Sequence, residues 1–209
     1  MEQDLVERFH DLLLEYSQQN DPTERQRIED ALWAEFGAEQ AVFVLDMSGF
    51  SLLSRKYGVV QYLSMVRRMQ LTAVPIIESH DGRVVKFEAD NCFALFSEPL
   101  SAIRAGIALN LAFEAANILT PSELDIRIAC GIDFGRILMI GEGDCFGDAV
   151  NRASKLGEDL AGSGEILATK EAMARIPKEA NIRSRMLELS ISGITLEASA
   201  IEYRREEKV

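Results

Sequence analysis

Long apolar runs, paired cysteines and an excess of basic residues are all missing from this chain. No stretch approaches the roughly 20 uninterrupted apolar residues that cross a bilayer, so no membrane-spanning helix is expected. The N-terminus, Met1-Glu2-Gln3-Asp4-Leu5-Val6-Glu7, is acidic and lacks the basic start and apolar core of a secretory signal. Three cysteines, Cys92, Cys130 and Cys145, are odd in number and have no metal-ligand spacing, which leads us to expect reduced thiols in a cytoplasmic protein. Only two histidines occur, His10 near the N-terminus and His80 at a turn, and neither has a sequence partner that suggests catalysis. With 34 acidic against 22 basic residues the net charge is −12, a field that repels nucleic-acid backbones and argues against non-specific DNA or RNA binding. An anionic small molecule could approach only where local cations offset that field, which points toward a metal requirement.

What is present is the composition of an ordinary soluble domain, with 47% apolar and 27% charged residues in 209. That length holds one substantial core with an extension. Residues 1–39 read as two helices. Leu5, Val6, Phe9, Leu12, Leu13 and Tyr16 recur at helical spacing. Asp21-Pro22-Thr23-Glu24 offers an N-cap, a first-turn proline and a capping-box glutamate ahead of Ile28, Leu32, Trp33 and Phe36. This extension reads as a packing appendage, or alternatively as a dimer-forming or signal-receiving segment.

From residue 40 strands and helices alternate. Strand 41–46 leads to a short helical stretch near 51–57 and a longer helix near 59–78. Strands 83–88 and 91–97 flank Ala89-Asp90 as a hairpin, and Pro99 opens a helix to about Leu119. Two strands, 126–132 and 136–140, read as separated by Asp133-Phe134-Gly135. A glycine-rich loop, 141–147, precedes a helix over 148–161; strand 165–169, a short helix near 170–176 and strands near 185–191 and 195–203 follow. Adjacent hairpin strands mixed with helices favour α+β over a doubly wound parallel sheet.

Two aspartates, Asp46 and Asp90, sit at strand ends, where ligands tend to bind. Together they could hold divalent cations on a nucleoside triphosphate. Each has a bland alternative, a helix cap for Asp46 and a turn residue for Asp90. After the glycine-rich loop, Asn151 and Lys155 lie one helical turn apart on one face, suited to a sugar and a phosphate, or simply to a solvated polar stripe. A phosphoacceptor role for Asp46, as in a receiver domain, lacks the acidic pair expected ahead of its strand.

These segments together resemble the class III nucleotidyl cyclase catalytic domain. The first metal motif is matched by Phe43-Val44-Leu45-Asp46-Met47-Ser48-Gly49-Phe50-Ser51, the second by the run Gly82 to Asp90 continuing to Phe96. The loop and helix motif is matched by Gly131 to Gly135 and then Gly147 to Leu156. The tail runs Ser163-Gly164-Glu165-Ile166-Leu167 and Ile191-Ser192-Gly193-Ile194. The resemblance covers about residues 40–203 and implies a ferredoxin-like fold, a mixed, mainly antiparallel sheet with flanking helices, as one catalytic domain over residues 40–205 behind the helical extension.

The resemblance also implies roles. Asp46 and Asp90 match the ligands of two divalent cations, Mg²⁺ or Mn²⁺. Lys86 and Asp144 match the pair that reads the purine edge, in its adenine-type combination, and Phe50 is placed with them in substrate binding. Asn151 matches the ribose-orienting residue, and Lys155 stands where the family usually has an arginine that stabilises pentavalent phosphorus. Metal and base contacts come from different protomers in such enzymes, so a homodimer with interfacial sites is implied. The implied activity is cyclisation of ATP to cyclic AMP and pyrophosphate. The alternatives are another triphosphate, GTP or a pyrimidine nucleotide, or a nucleotide-binding regulatory module with little turnover. Ala89 departs from the glycine that commonly precedes the second aspartate, and the loop before Gly147 is shorter than in many relatives.

Overall fold

In a computed structural model of the chain, residues 2–48, 55–141, 143–191 and 194–203 are described. Two helices open it, α1 (Glu2–Gln18) and α2 (Pro22–Phe36). The Asp21 side chain accepts from the Thr23 N–H, and Pro22 occupies the first turn, as the sequence suggests. The capping box does not form. The Asp21 N–H instead donates to the Gln19 side chain, while Glu24 pairs with Arg27 at 2.8 Å. Glutamate at that position thus has a nearer cation than the backbone donor it was expected to meet.

Strand β1 (Gly37–Met47) starts directly at the end of α2, four residues earlier than the apolar run suggests. Then come α3 (Val59–Ser79), the hairpin β2 (Gly82–Glu88) and β3 (Asn91–Phe96), and α4 (Pro99–Asn117). The long strand β4 (Ile128–Ile140), β5 (Asp144–Phe146), α5 (Asp148–Ser154) with a π-turn over Lys155–Leu160, and β6 (Ile166–Thr169) follow. Helix α6 (Lys170–Ala174) and the hairpin β7 (Ser184–Ile191) and β8 (Ile194–Ile201) complete the fold. Among the described residues no helix is long and apolar enough to cross a membrane.

The sheet order is β2-β3-β1-β4-β6-β8-β7, with β5 paired to β4. All pairings are antiparallel except β4 with β6. This is the expected α+β architecture. Period-two alternation along β1 sends Phe43 and Leu45 to a core with Met65, Met69, Ile77, Ile103, Leu109 and Phe113 of α3 and α4. Val42 and Val44 point the other way, onto Ala149 and Ala153 of α5. Strand β1 is thus buried on both faces, each large side chain contributing about 1.5–3 kcal/mol.

The expected break at Asp133-Phe134-Gly135 is absent: β4 runs unbroken beside β1, with Asp133 opposite Val42 and Gly135 opposite Gln40. A charge and a glycine look like a turn in sequence. Here Asp133 is buried and satisfied by donors, and Gly135 sits in extended backbone beneath α5. The glycine-rich stretch also differs from a plain loop, because Asp144–Phe146 folds back on Leu138–Ile140. Of the helical stretch expected near 51–57, residues 51–54 lie outside the described residues.

Helices α1 and α2 pack Phe9, Leu12, Ile28, Leu32 and Phe36 together and against Leu138 and Ile140 of β4. The Arg136 guanidinium lies 4.4 Å from the Trp33 ring centroid.

Candidate functional site

Alternation along β1 places Asp46 on the same face as Val42 and Val44, the side covered by α5 and its π-turn. Asp90 occupies the second position of the two-residue turn between Glu88 and Asn91. Ala89, the first, has a φ of 53°, a left-handed conformation that favours glycine. The absence of a glycine at this turn therefore costs backbone strain.

Burial first, then the neighbouring Asp90 and Glu158 charges, raise the Asp46 carboxyl to about 6, against the pull of the Met47 N–H. Burial also raises Glu158, and Asp159, Glu88 and Asp90 add to the effect. Burial and Asp90 raise the Tyr62 hydroxyl in turn. These residues therefore share one electrostatic neighbourhood. The two sequence-predicted metal residues meet in it, and Glu158, Asp159 and Tyr62 join them without having been singled out in the sequence.

Lys86 is re-aimed by a β-bulge between Val84 and Lys86. Its ammonium lies 5.0 Å from the Phe93 ring centroid, 3.1 Å from Asp144 Oδ1 and 3.3 Å from Glu88 Oε2. Burial lowers the Lys86 pKa, but the contacts with Asp144 and Glu88 outweigh it, and the net shift is upward. The Asp144 Oδ1 also accepts from the Cys145 N–H at 2.9 Å. The β4–β5 hairpin thus brings the predicted base-reading pair together.

Asn151 and Lys155 line a groove of about 650 Å³ with Asp148, Arg152, Ser154, Glu158, Asp159 and Leu196. Asn151 lies in α5; Lys155 opens the π-turn, in which the Ala161 N–H reaches back to the Leu156 carbonyl at 2.8 Å. Single π-turns of this kind recur at functional sites. The element lies directly on the sheet: a Cβ on Gly131 would fall 2.0 Å from the Ala153 carbonyl oxygen, and one on Gly157 2.9 Å from that of Val44. Lys155 is 3.9 Å from Asp159. Phe50 lies outside the described residues.

Under α5 runs a polar contact absent from the sequence reading. Arg152 Nε donates to Asp133 Oδ2 at 2.6 Å, and the Phe134 N–H and Thr169 hydroxyl donate to Asp133 Oδ1. The only hint in sequence is a charged residue between apolar neighbours in β4.

Asp46 and Asp90 have the chemistry of divalent-cation ligands. Carboxylate oxygens are the hard ligands that Mg²⁺ and Mn²⁺ prefer, and clustered negative charge favours a cation over two protons. Beside the two aspartates in sequence, the buried Ser48 Oγ and Asn91 Oδ1 have no hydrogen-bond partner among the described residues. No group of three or more His, Cys, Asp or Glu gathers tightly enough to hold a metal among those residues. The three cysteines are buried free thiols with raised pKa values, Cys92 to about 12 and Cys145 to about 11, and burial is the leading cause in each case.

No family model matches the chain. Over 126 residues it is 30% identical to "Putative adenylate cyclase 3" of Rhizobium meliloti (strain 1021), a match covering 60% of this chain and 21% of that protein. The match therefore spans about a fifth of that relative's length. Among solved structures, the adenylyl cyclase CyaB from P. aeruginosa superposes with a TM-score of 0.68 at 20% identity, over 81% of this chain and 97% of that one. An adenylate/guanylate cyclase/hydrolase from Silicibacter pomeroyi superposes with a TM-score of 0.65 at 25% identity, over 79% and 96%. Behind the two N-terminal helices the chain has the fold of class III adenylate/guanylate cyclase domains, and part of its sequence is similar to that of a protein named as an adenylate cyclase.

Proposed function

We propose that the chain is a nucleotidyl cyclase that converts ATP to 3′,5′-cyclic AMP and pyrophosphate at sites shared across a homodimer. The observation that carries the reading is that Asp46 at the end of β1 and Asp90 in the β2–β3 turn interact, burial first and then the Asp90 charge raising the Asp46 carboxyl to about 6. Those two residues would hold the divalent cations, which when bound acidify the ribose 3′-hydroxyl and offset charge on the triphosphate and the departing pyrophosphate. In the reaction the 3′-oxygen gives its proton to solvent water and bonds to the α-phosphorus. The bond from that phosphorus to the β-bridging oxygen breaks, and pyrophosphate leaves.

The protein's own side chains then position and neutralise. Lys86 supplies a donor and Asp144 an acceptor 3.1 Å away, complementary to the ring-nitrogen acceptor and 6-amino donor of adenine. Asn151 orients the ribose, and Lys155 places a positive charge in the same groove. Catalysis by positioning and charge needs no nucleophilic side chain. Both halves of the site occur in one sequence, which supports two equivalent interfacial sites in a homodimer.

Asp46→Asn or Asp90→Asn is expected to abolish Mn²⁺-dependent product formation while leaving the circular dichroism spectrum unchanged. Retention of more than about a tenth of wild-type turnover in either variant would sink the metal assignment. Mixing Asp46→Asn chains with Asn151→Ala chains should restore activity through one intact site per mixed dimer. Absence of rescue would count against shared sites. The competing readings are cyclisation of GTP or a pyrimidine triphosphate, and nucleotide binding with little turnover.

A further inference from the structure

We infer that Arg152 is a phosphate-contacting residue of the groove, held for that task by the buried carboxylate of Asp133. The inference rests on the cyclase reading and supplies what Lys155 lacks there. A lysine offers a point charge, whereas a planar guanidinium can grip two phosphate oxygens at once.

At about 100° per residue, Arg152 and Lys155 are i, i+3 neighbours on α5 and its continuation. Both line the groove, together with Asn151. Arg152 uses Nε for Asp133 at 2.6 Å, one of its five N–H donors. Its terminal nitrogens, Nη1 and Nη2, make no further hydrogen bond among the described residues. The side chain is 31% exposed, against 0% for Asp133. The guanidinium is thus pinned through Nε, while the side chain stays partly exposed and lines the groove.

A carboxylate buried in mid-strand is costly, and a well-packed apolar residue would often serve stability as well or better. Here three donors fix Asp133, from Arg152, Thr169 and the Phe134 backbone. Thr169 belongs to β6, so the carboxylate ties α5 to two neighbouring strands and restricts the Arg152 side chain. The charge balance of the groove gives the contact its purpose. Asp148, Glu158 and Asp159 line it against Arg152 and Lys155, and Lys155 is already 3.9 Å from Asp159. Without Arg152, a triphosphate would meet one partly engaged cation among three carboxylates.

The test is calorimetric binding of inorganic tripolyphosphate in the presence of Mn²⁺. Arg152→Gln alone strands the Asp133 charge and risks the fold, so the informative variants are Arg152→Lys and the pair Arg152→Gln/Asp133→Asn, which removes both charges. The double variant is expected to bind tripolyphosphate about 10- to 100-fold more weakly, the range for a lost charge-assisted contact. Arg152→Lys should bind about tenfold more weakly and show thermal unfolding like that of the wild type. Affinity within about twofold of wild type in either variant, or no binding by the wild type, would overturn the inference. The cyclase reading fails separately, if the wild-type protein forms no cyclic product. A wild type that cyclises while the double variant keeps its KM and kcat removes Arg152 alone.

Discussion

Asp46→Asn should make the metal-free protein more stable while destroying its activity. Burial, Asp90 and Glu158 raise the Asp46 carboxyl from 3.8 to about 6. The sign follows from linkage: the folded state holds this proton more tightly than the unfolded state, so stability is lost as pH rises from about 4 to about 6 and stays lost above. At about 1.4 kcal/mol per tenfold change in proton affinity, the full shift corresponds to about 3 kcal/mol. Screening at a partly exposed carboxyl reduces this to about 1–2 kcal/mol. Asparagine keeps the shape and removes the charge, so at pH 7.5 without metal the variant should melt about 2–8 °C higher in a chain of this size. Urea unfolding with chelator at pH 7.5 and at pH 4.5 tests the reasoning, because the gap should shrink at the lower pH. Mn²⁺ should stabilise the wild type more than the variant by mass action. A variant less stable than the wild type at pH 7.5, or a gap independent of pH, would refute the electrostatic argument.

Other perturbations follow from the same geometry. Ala89→Gly relieves the positive backbone angle ahead of Asp90 and should stabilise by about 1 kcal/mol, read as a rise in the urea midpoint; a loss of stability would contradict the turn. Gly131→Ala drives a Cβ onto the Ala153 carbonyl and should cost about 1–3 kcal/mol while lowering turnover, since it lifts the element carrying Asn151 and Lys155; unchanged melting would contradict the close packing. Lys86→Ala or Asp144→Ala should raise the KM for ATP roughly tenfold and erode discrimination against GTP; unchanged discrimination would remove the pair from base reading.

The apolar runs of β1 and β3 and the hairpin between β2 and β3 were plain in the sequence, because strands buried on both faces leave little ambiguity. Asp133-Phe134-Gly135 reads as a break in sequence, yet β4 runs through it for a physical reason: tertiary donors on α5 and β6 satisfy a carboxylate that would otherwise end a strand. Glu24 closes no capping box because Arg27 competes for it and Gln19 takes the backbone donor. In the site, Asp46, Asp90, Lys86 and Asp144 stood out by position along the motifs. Glu158 and Asp159 did not, since a π-turn, which has no simple sequence signature, brings them toward Asp46. The role of Arg152 was equally hidden, as it depends on a strand partner 19 positions earlier.

The most direct measurement is the mass spectrum of products after separate incubation with ATP, GTP, CTP and UTP in Mn²⁺. The account predicts 3′,5′-cyclic AMP and pyrophosphate from ATP, with no cyclic product once the metal is chelated. A cyclic product from GTP or a pyrimidine nucleotide alone would contradict the assignment of Lys86 and Asp144. No cyclic product from any of the four would contradict the central claim.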